Sequence, residues 1–311
     1  MTPASALTLW DEYAAVLDTQ FFRHALLAAT MIGALCGVVG MYVVLRGYAF
    51  IGDALAHATF PGVAVAYLLG TNILGGALVA GLITAGLIGA IARNRRVSHD
   101  SAIGVIFAGA FALGVALISR IQSYRRDLGS LLFGNLLGVS VADLVTIAAI
   151  GVLVLGAVAL WYRPLLLNAF DPTYAGAAGY RTGLLDLLTL GLLTLTVVVG
   201  LQAVGNVLVV AMVVTPSATA RLLTDRVPAM MATGAGIGAA SGVIGLLLSY
   251  PTRLAPGATV VLVATAFFAL ALLFAPRQGF VTTRLRGRFP SQSPGRPDAD
   301  TERAVGESGG A

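Results

Sequence analysis

Phe50-Ile51-Gly52-Asp53-Ala54-Leu55-Ala56-His57-Ala58-Thr59-Phe60-Pro61-Gly62-Val63-Ala64 lies inside an apolar stretch, residues 49–69, of membrane-crossing length. Asp53 and His57 are four residues apart, about one helical turn. On a helix they share a face, with Cβ atoms about 5–6 Å apart. A carboxylate at the centre of a membrane helix costs about 2.5–3.5 kcal/mol on insertion scales. Ionisable groups kept there mark paths for ions or protons. Imidazole plus carboxylate is also a ligand pair for divalent zinc, manganese or iron. The plainer alternative is a helix-face hydrogen bond that serves packing, and the two residues by themselves leave both open. Gly47, Gly52 and Pro61-Gly62 punctuate the segment. Transporters use such broken helices near the midplane to present backbone groups to substrate ions.

The rest of the chain fits a membrane setting. It has 311 residues, 58% hydrophobic and 11% charged, with a mean hydropathy of +0.89. Soluble domains carry about 25% charged residues, so no large soluble domain is expected. The N-terminal twenty residues hold Asp11, Glu12 and Asp18 and no base, unlike the positive start of a secretory signal. The net charge of +5 comes from short loops and the tail and does not point to nucleic acid. Cys36 is the single cysteine, which rules out an internal disulfide and suits a small apolar packing role. All 19 basic residues are arginine. A Walker A loop needs lysine, and so does Schiff-base chemistry. If transport here uses ATP, another polypeptide hydrolyses it.

Apolar runs predict an all-α polytopic fold with about nine transmembrane helices, eight being the alternative count. They cover residues 21–45, 49–69, 73–92, 102–119, 141–162, 183–201, 204–220, 227–250 and 259–274. The seventh is short and touches the sixth across Gln202 and Asn206, as a half-helix or re-entrant segment would. Arg277, Arg284, Arg286 and Arg288 follow the last span, which places the C-terminus in the cytoplasm and the N-terminus outside. Arg46, Arg93, Arg95, Arg96, Arg163, Arg181, Arg221 and Arg226 then fall inside. Arg23, Arg120, Arg125, Arg126 and Arg253 fall outside, and the Arg125-Arg126 pair leaves room for a further span among residues 128–139. The expected organisation is an extracytoplasmic segment (1–20), a transmembrane domain (21–276) and a basic, then disordered, tail (277–311). Ser140 with Asp143 reads as a capping box, and Ser98 or Asp100 as the cap of the fourth span. A simple second span puts Asp53 nearer the cytoplasmic side, unless a break at 47–52 lifts it toward the midplane.

The run Val43-Val44-Leu45-Arg46-Gly47-Tyr48-Ala49-Phe50-Ile51-Gly52-Asp53, continuing through His57 and Pro61-Gly62 to Ala64, resembles the membrane subunit of bacterial ABC importers for manganese, zinc and iron. Further matches follow in order: Asp100-Ser101-Ala102-Ile103-Gly104, Leu132-Phe133-Gly134-Asn135, Phe170-Asp171-Pro172 with Ala175 and Gly179, and Val204-Gly205. Then come Pro216-Ser217-Ala218-Thr219-Ala220-Arg221, Ser249-Tyr250 and Pro256-Gly257-Ala258-Thr259. The resemblance spans residues 20–275, and its ordered set is more specific than any one motif.

That resemblance implies a vitamin/siderophore-type importer permease in the bacterial cytoplasmic (inner) membrane. It implies a second permease protomer, identical or related, two cytosolic ABC ATPase subunits and an extracytoplasmic metal-binding protein. It implies no permanently bound cofactor; the divalent metal is cargo, and ATP sits on the partner. Asp53 and His57 match the positions expected to hold metal in the path. Two protein ligands are too few for zinc or manganese, so waters, other spans or the second protomer complete the shell. Phe170, Asp171, Pro172, Ala175 and Gly179 match the coupling region that docks on the ATPase. Gly47 stands where a second basic residue often follows, and Asn206 stands where an apolar residue is usual. Gln202, Asn206 and Thr215 are candidates for lining the path. Their simpler role is interhelical hydrogen bonding, about 0.6 kcal/mol each in membranes. His99-Asp100 suits a helix start better than a second metal site, and His24 suits the interface. The alternative functions are a permease for metal chelates of the siderophore or cobalamin type, or an ion-coupled secondary metal carrier. A membrane enzyme lacks a positioned nucleophile here.

Overall fold

The computed structural model describes residues 17–48, 50–91, 98–119 and 136–275. The expectations for Arg93, Arg95, Arg96, Arg120, Arg125, Arg126, residues 128–135 and the 277–311 tail lie outside the described residues, as does most of the 1–20 segment. Within them the chain is helical, with no strand. The helices are α1 (Gln20–Arg46), α2 (Ile51–Ala58), α3 (Phe60–Leu68), α4 (Ile73–Ile91), α5 (His99–Ile118) and α6 (Val141–Leu160). After them come α7 (Tyr162–Phe170), α8 (Pro172–Ala177), α9 (Thr182–Val204), α10 (Asn206–Leu223), α11 (Val227–Thr252) and α12 (Pro256–Phe274). Eight of the described helices are long and apolar enough to cross a membrane. The remaining expected span is the α2–α3 pair. Pro61 lacks the N–H that would continue the helical ladder, and the break falls at Thr59, whose hydroxyl donates to the Ala56 carbonyl at 2.7 Å.

Local signals act as their chemistry dictates. Ser140 and Asp143 form the reciprocal capping box of α6. The Ser98 hydroxyl accepts from the Ser101 N–H at 3.1 Å and caps α5. Cys36 is fully buried in the core. The residues between the fifth and sixth expected spans hold more helix than expected: α7 forms before the short helix that Asp171-Pro172 opens.

The bundle is built around α1, 67% of whose apolar window is buried, against 22% for α5 and 17% for α6. The outer helices instead present Val105, Val152 and Leu262 outward, as hydrocarbon-facing surfaces do. Glycine lets α11 approach α1 closely: a Cβ on Gly37 would lie 2.3 Å from the Gly234 carbonyl oxygen, and one on Gly33 2.5 Å from that of Gly238. With no hydrophobic drive between helices in lipid, such small-residue contacts supply packing directly. On the other side, the Ser217 hydroxyl of α10 donates to the Gly37 carbonyl at 3.1 Å, and Arg221 donates to the Val44 carbonyl at 3.1 Å. Hence α10 runs parallel to α1, and Arg46 and Arg221 share one end of the bundle.

Those contacts fix the depth of α2. Gly40 of α1 abuts the Val213 carbonyl, and Gly52 of α2 lies beside the Val213 side chain. The start of α2 is therefore level with Gly40, roughly 9 Å inward from Arg46 at 1.5 Å per residue. The turn between the two helices begins at Gly47, whose φ of 71° is left-handed.

Candidate functional site

Asp53 and His57 lie on one face of α2, with Asp53 Oδ1 3.4 Å from His57 Nε2. The carboxylate side chain is 45% exposed and the imidazole 19%, so the pair is open on the Asp53 side. Three aromatic rings enclose the imidazole. Phe60, Phe107 and Phe111 meet it edge-to-face, with centroids 5.4, 5.5 and 5.3 Å away. Phe107 and Phe111 are one turn apart on α5 and stack at 6.0 Å. Sequence reading did not single them out; their four-residue spacing in α5 was the available signal.

Asn206 supplies the remaining polar contact. Its Nδ2 lies 2.9 Å from His57 Nε2 and 3.3 Å from Nδ1, across 149 residues of sequence. It opens α10 directly after Gly205, whose φ of 84° and ψ of 166° turn the chain sharply out of α9. Asn206 is 2% exposed, and its Oδ1 has no hydrogen-bond partner. Counted along α10, it stands roughly 22 Å from Arg221. The hydrocarbon layer is about 30 Å thick, so Asn206 lies inside the bundle, nearer the end opposite Arg46 and Arg221.

The other two candidate path residues are not gathered here. Gln202 is exposed near the end of α9, and Thr215 is half-buried, its carbonyl accepting from the Thr219 hydroxyl at 2.7 Å. Asp100 sits exposed in the first turn of α5, and His24 is half-buried near the start of α1. Among the described residues no group of three or more His, Cys, Asp and Glu comes together. The Asp53–His57 pair is thus an open acid–imidazole pair with one buried amide beside it.

A second cluster occupies the arginine-bearing end. Asp171 caps α8, its carboxylate accepting from the Thr173 and Tyr174 N–H groups, both at 2.9 Å. Ala175 is fully buried, whereas Phe170 and Tyr174 are 62% and 60% exposed. Gly179 ends the elbow with a φ of 88°. Behind it, Asn168 of α7 donates to Asp186 of α9 at 2.9 Å, and Asp186 pairs with Arg46 of α1. The elbow residues are those singled out in the sequence, whereas the Asn168–Asp186–Arg46 links were not expected from it.

Residues 18–275 match the ABC 3 transport family. The chain is 46% identical over 273 residues to the manganese transport system membrane protein MntC of Halalkalibacterium halodurans, covering 88% of this chain and 94% of that protein. It is 36% identical to a probable iron transport system membrane protein of Haemophilus influenzae, over 83% of this chain and 95% of that one. Among solved structures, PsaBC from Streptococcus pneumoniae in complex with Fab superposes with a TM-score of 0.79 at 35% identity, over 88% of this chain and 99% of that one.

Proposed function

This chain belongs to the ABC 3 transport family, and we propose that it is the membrane-spanning subunit of an ATP-driven importer of a divalent transition metal ion, with manganese or ferrous iron the first candidates. The observation that carries the metal reading is the Asp53–His57 pair: a carboxylate and an imidazole within 3.4 Å, inside the bundle and not at its Arg46 end, with the carboxylate 45% exposed. A carboxylate open to hydrocarbon is costly, so that open side faces a water-filled path or a second permease protomer. A partial set of protein ligands grips a cation loosely enough to release it. The phenylalanine collar limits water around the imidazole. The relatives named above for manganese and iron transport support the same cargo.

The protein performs no covalent chemistry. With no lysine anywhere in the chain, ATP is bound and hydrolysed on cytosolic ATPase subunits. Those dock against the elbow of Phe170, Asp171, Pro172, Ala175 and Gly179, whose exposed aromatics Phe170 and Tyr174 suit a protein partner. An extracytoplasmic binding protein delivers the ion to the opposite face of the bacterial inner membrane, and two permease chains enclose the path. Uptake by the assembled complex in liposomes, across a panel of divalent metals, tests this. ATP-dependent manganese or iron accumulation is expected; gradient-driven uptake by this chain without an ATPase would overturn it.

A further inference from the structure

We infer that Asn206 is a third ligand of the transported ion and sets the preference of the site for an oxygen-seeking metal such as manganese. The inference rests on the metal reading of Asp53 and His57. Three observations lead to it. The amide is 2% exposed, and its Oδ1 is buried with no hydrogen-bond partner. A buried amide oxygen left unpaired is costly and needs a reason to persist. Its Nδ2 lies 2.9 Å from His57 Nε2, while Asp53 Oδ1 lies 3.4 Å from that same nitrogen. Two donors that each sit about 2.1 Å from one cation are separated by about 3.0 Å in octahedral geometry; the amide spacing matches that, and the carboxylate closes to it by a shift of about 0.4 Å. Finally, Gly205, with its φ of 84°, delivers Asn206 to the site at the very start of α10.

The amide serves both states of the site. Without metal, its NH2 group donates to whichever imidazole nitrogen lacks a proton. A cation on that nitrogen repels the NH2 group, and a half-turn about the terminal side-chain bond brings Oδ1 to face the ion in almost the same space. The resulting set is one carboxylate oxygen, one imidazole nitrogen and one amide oxygen. Oxygen donors suit manganese, whereas tetrahedral zinc is satisfied by fewer and softer ligands. In this chain the selectivity device is thus the residue after the Gly205 turn.

Equilibrium Mn²⁺ binding to the full-length chain in lipid nanodiscs, followed by electron paramagnetic resonance, tests the assignment, with Zn²⁺ competition as the second measurement. Asn206→Leu is expected to weaken Mn²⁺ binding roughly tenfold or more, with a smaller loss for Zn²⁺. Asn206→Asp is expected to restore or tighten Mn²⁺ binding. A carboxylate keeps the acceptor and removes the NH2 donor, so a residue that merely orients the imidazole by donating to it is not rescued by aspartate. Failure of that rescue, or unchanged Mn²⁺ affinity in Asn206→Leu while Asp53→Ala abolishes binding, overturns the inference and leaves the Asp53–His57 reading in place. Unchanged binding in Asp53→Ala and His57→Ala overturns both.

Discussion

Arg46, the last residue of α1, forms an ion pair with Asp186, in the second turn of α9, at 2.5 Å between Nη2 and Oδ1. The guanidinium is 9% exposed and lies over the Tyr48 ring, 5.8 Å from its centroid. Asp186 also accepts from Asn168 of α7. One carboxylate therefore joins the end of α1, the start of α9 and the helix that leads into the elbow. Removing one partner of such a pair leaves a charge with nowhere to go. Asp186→Ala is expected to lower stability by about 1–3 kcal/mol, less than a fully buried pair because Asp186 is 37% exposed. The double variant Arg46→Met/Asp186→Leu recovers most of that loss. Thermal unfolding of the detergent-solubilised protein, arranged as a double-mutant cycle, measures the coupling.

At the proposed metal site, Asp53→Ala and His57→Ala each remove one of few ligands. Both variants are expected to lose metal uptake in reconstituted liposomes while still co-purifying with the ATPase. Wild-type uptake rates in either one would remove the site from the path.

The elbow makes a separate prediction. Asp171 satisfies two N–H groups at the start of α8, and losing such a cap costs about 1 kcal/mol. Asp171→Arg is expected to abolish stimulation of the ATPase by the metal-loaded binding protein, whereas Asp171→Ser, which can still cap, retains most of it. Equal stimulation in the arginine variant and the wild type would mean that docking lies elsewhere.

Packing of α1 on α11 depends on absent side chains. An added Cβ at Gly37 would lie 2.3 Å from the Gly234 carbonyl oxygen, where only backbone movement gives room. Gly37→Ala is expected to destabilise the protein by about 1–3 kcal/mol, as overpacked cores do. Gly104, with open space around it, is the matched control: Gly104→Ala leaves the melting temperature unchanged or slightly raised.

Much of the fold was legible because membrane helices declare themselves one at a time. Long apolar runs with arginine at one end, a capping box at Ser140 and Asp143, and the glycine–proline punctuation of residues 47–62 each act locally. Each appears in the structure as helix, cap or break. The weaker readings concerned contacts between distant segments. Gln202, Asn206 and Thr215 are all polar residues in apolar surroundings, with Asn206 also standing where an apolar residue is usual, and of the three it is Asn206 that meets His57. Nothing local reveals that contact, since it depends on the direction in which α10 leaves the Gly205 turn and on where α2 packs. Asn168 and Asp186 gave no signal for the same reason: each is an ordinary polar residue until Arg46 is brought to it.

By itself the sequence determined that this chain crosses a membrane several times, that an acid and an imidazole share one helical face, and that it cannot carry a lysine-dependent ATP site. Those follow from hydropathy, helical periodicity and composition, which are properties of neighbours along the chain. Tertiary structure alone decided how deep that face lies, which aromatic rings enclose it, and which amide meets it. Depth came from Gly40 abutting the Val213 carbonyl with Gly52 beside the Val213 side chain, and the amide came from 149 residues away. Such contacts exist only once helices have packed, because the close approach of backbones, and not any local preference, sets their register.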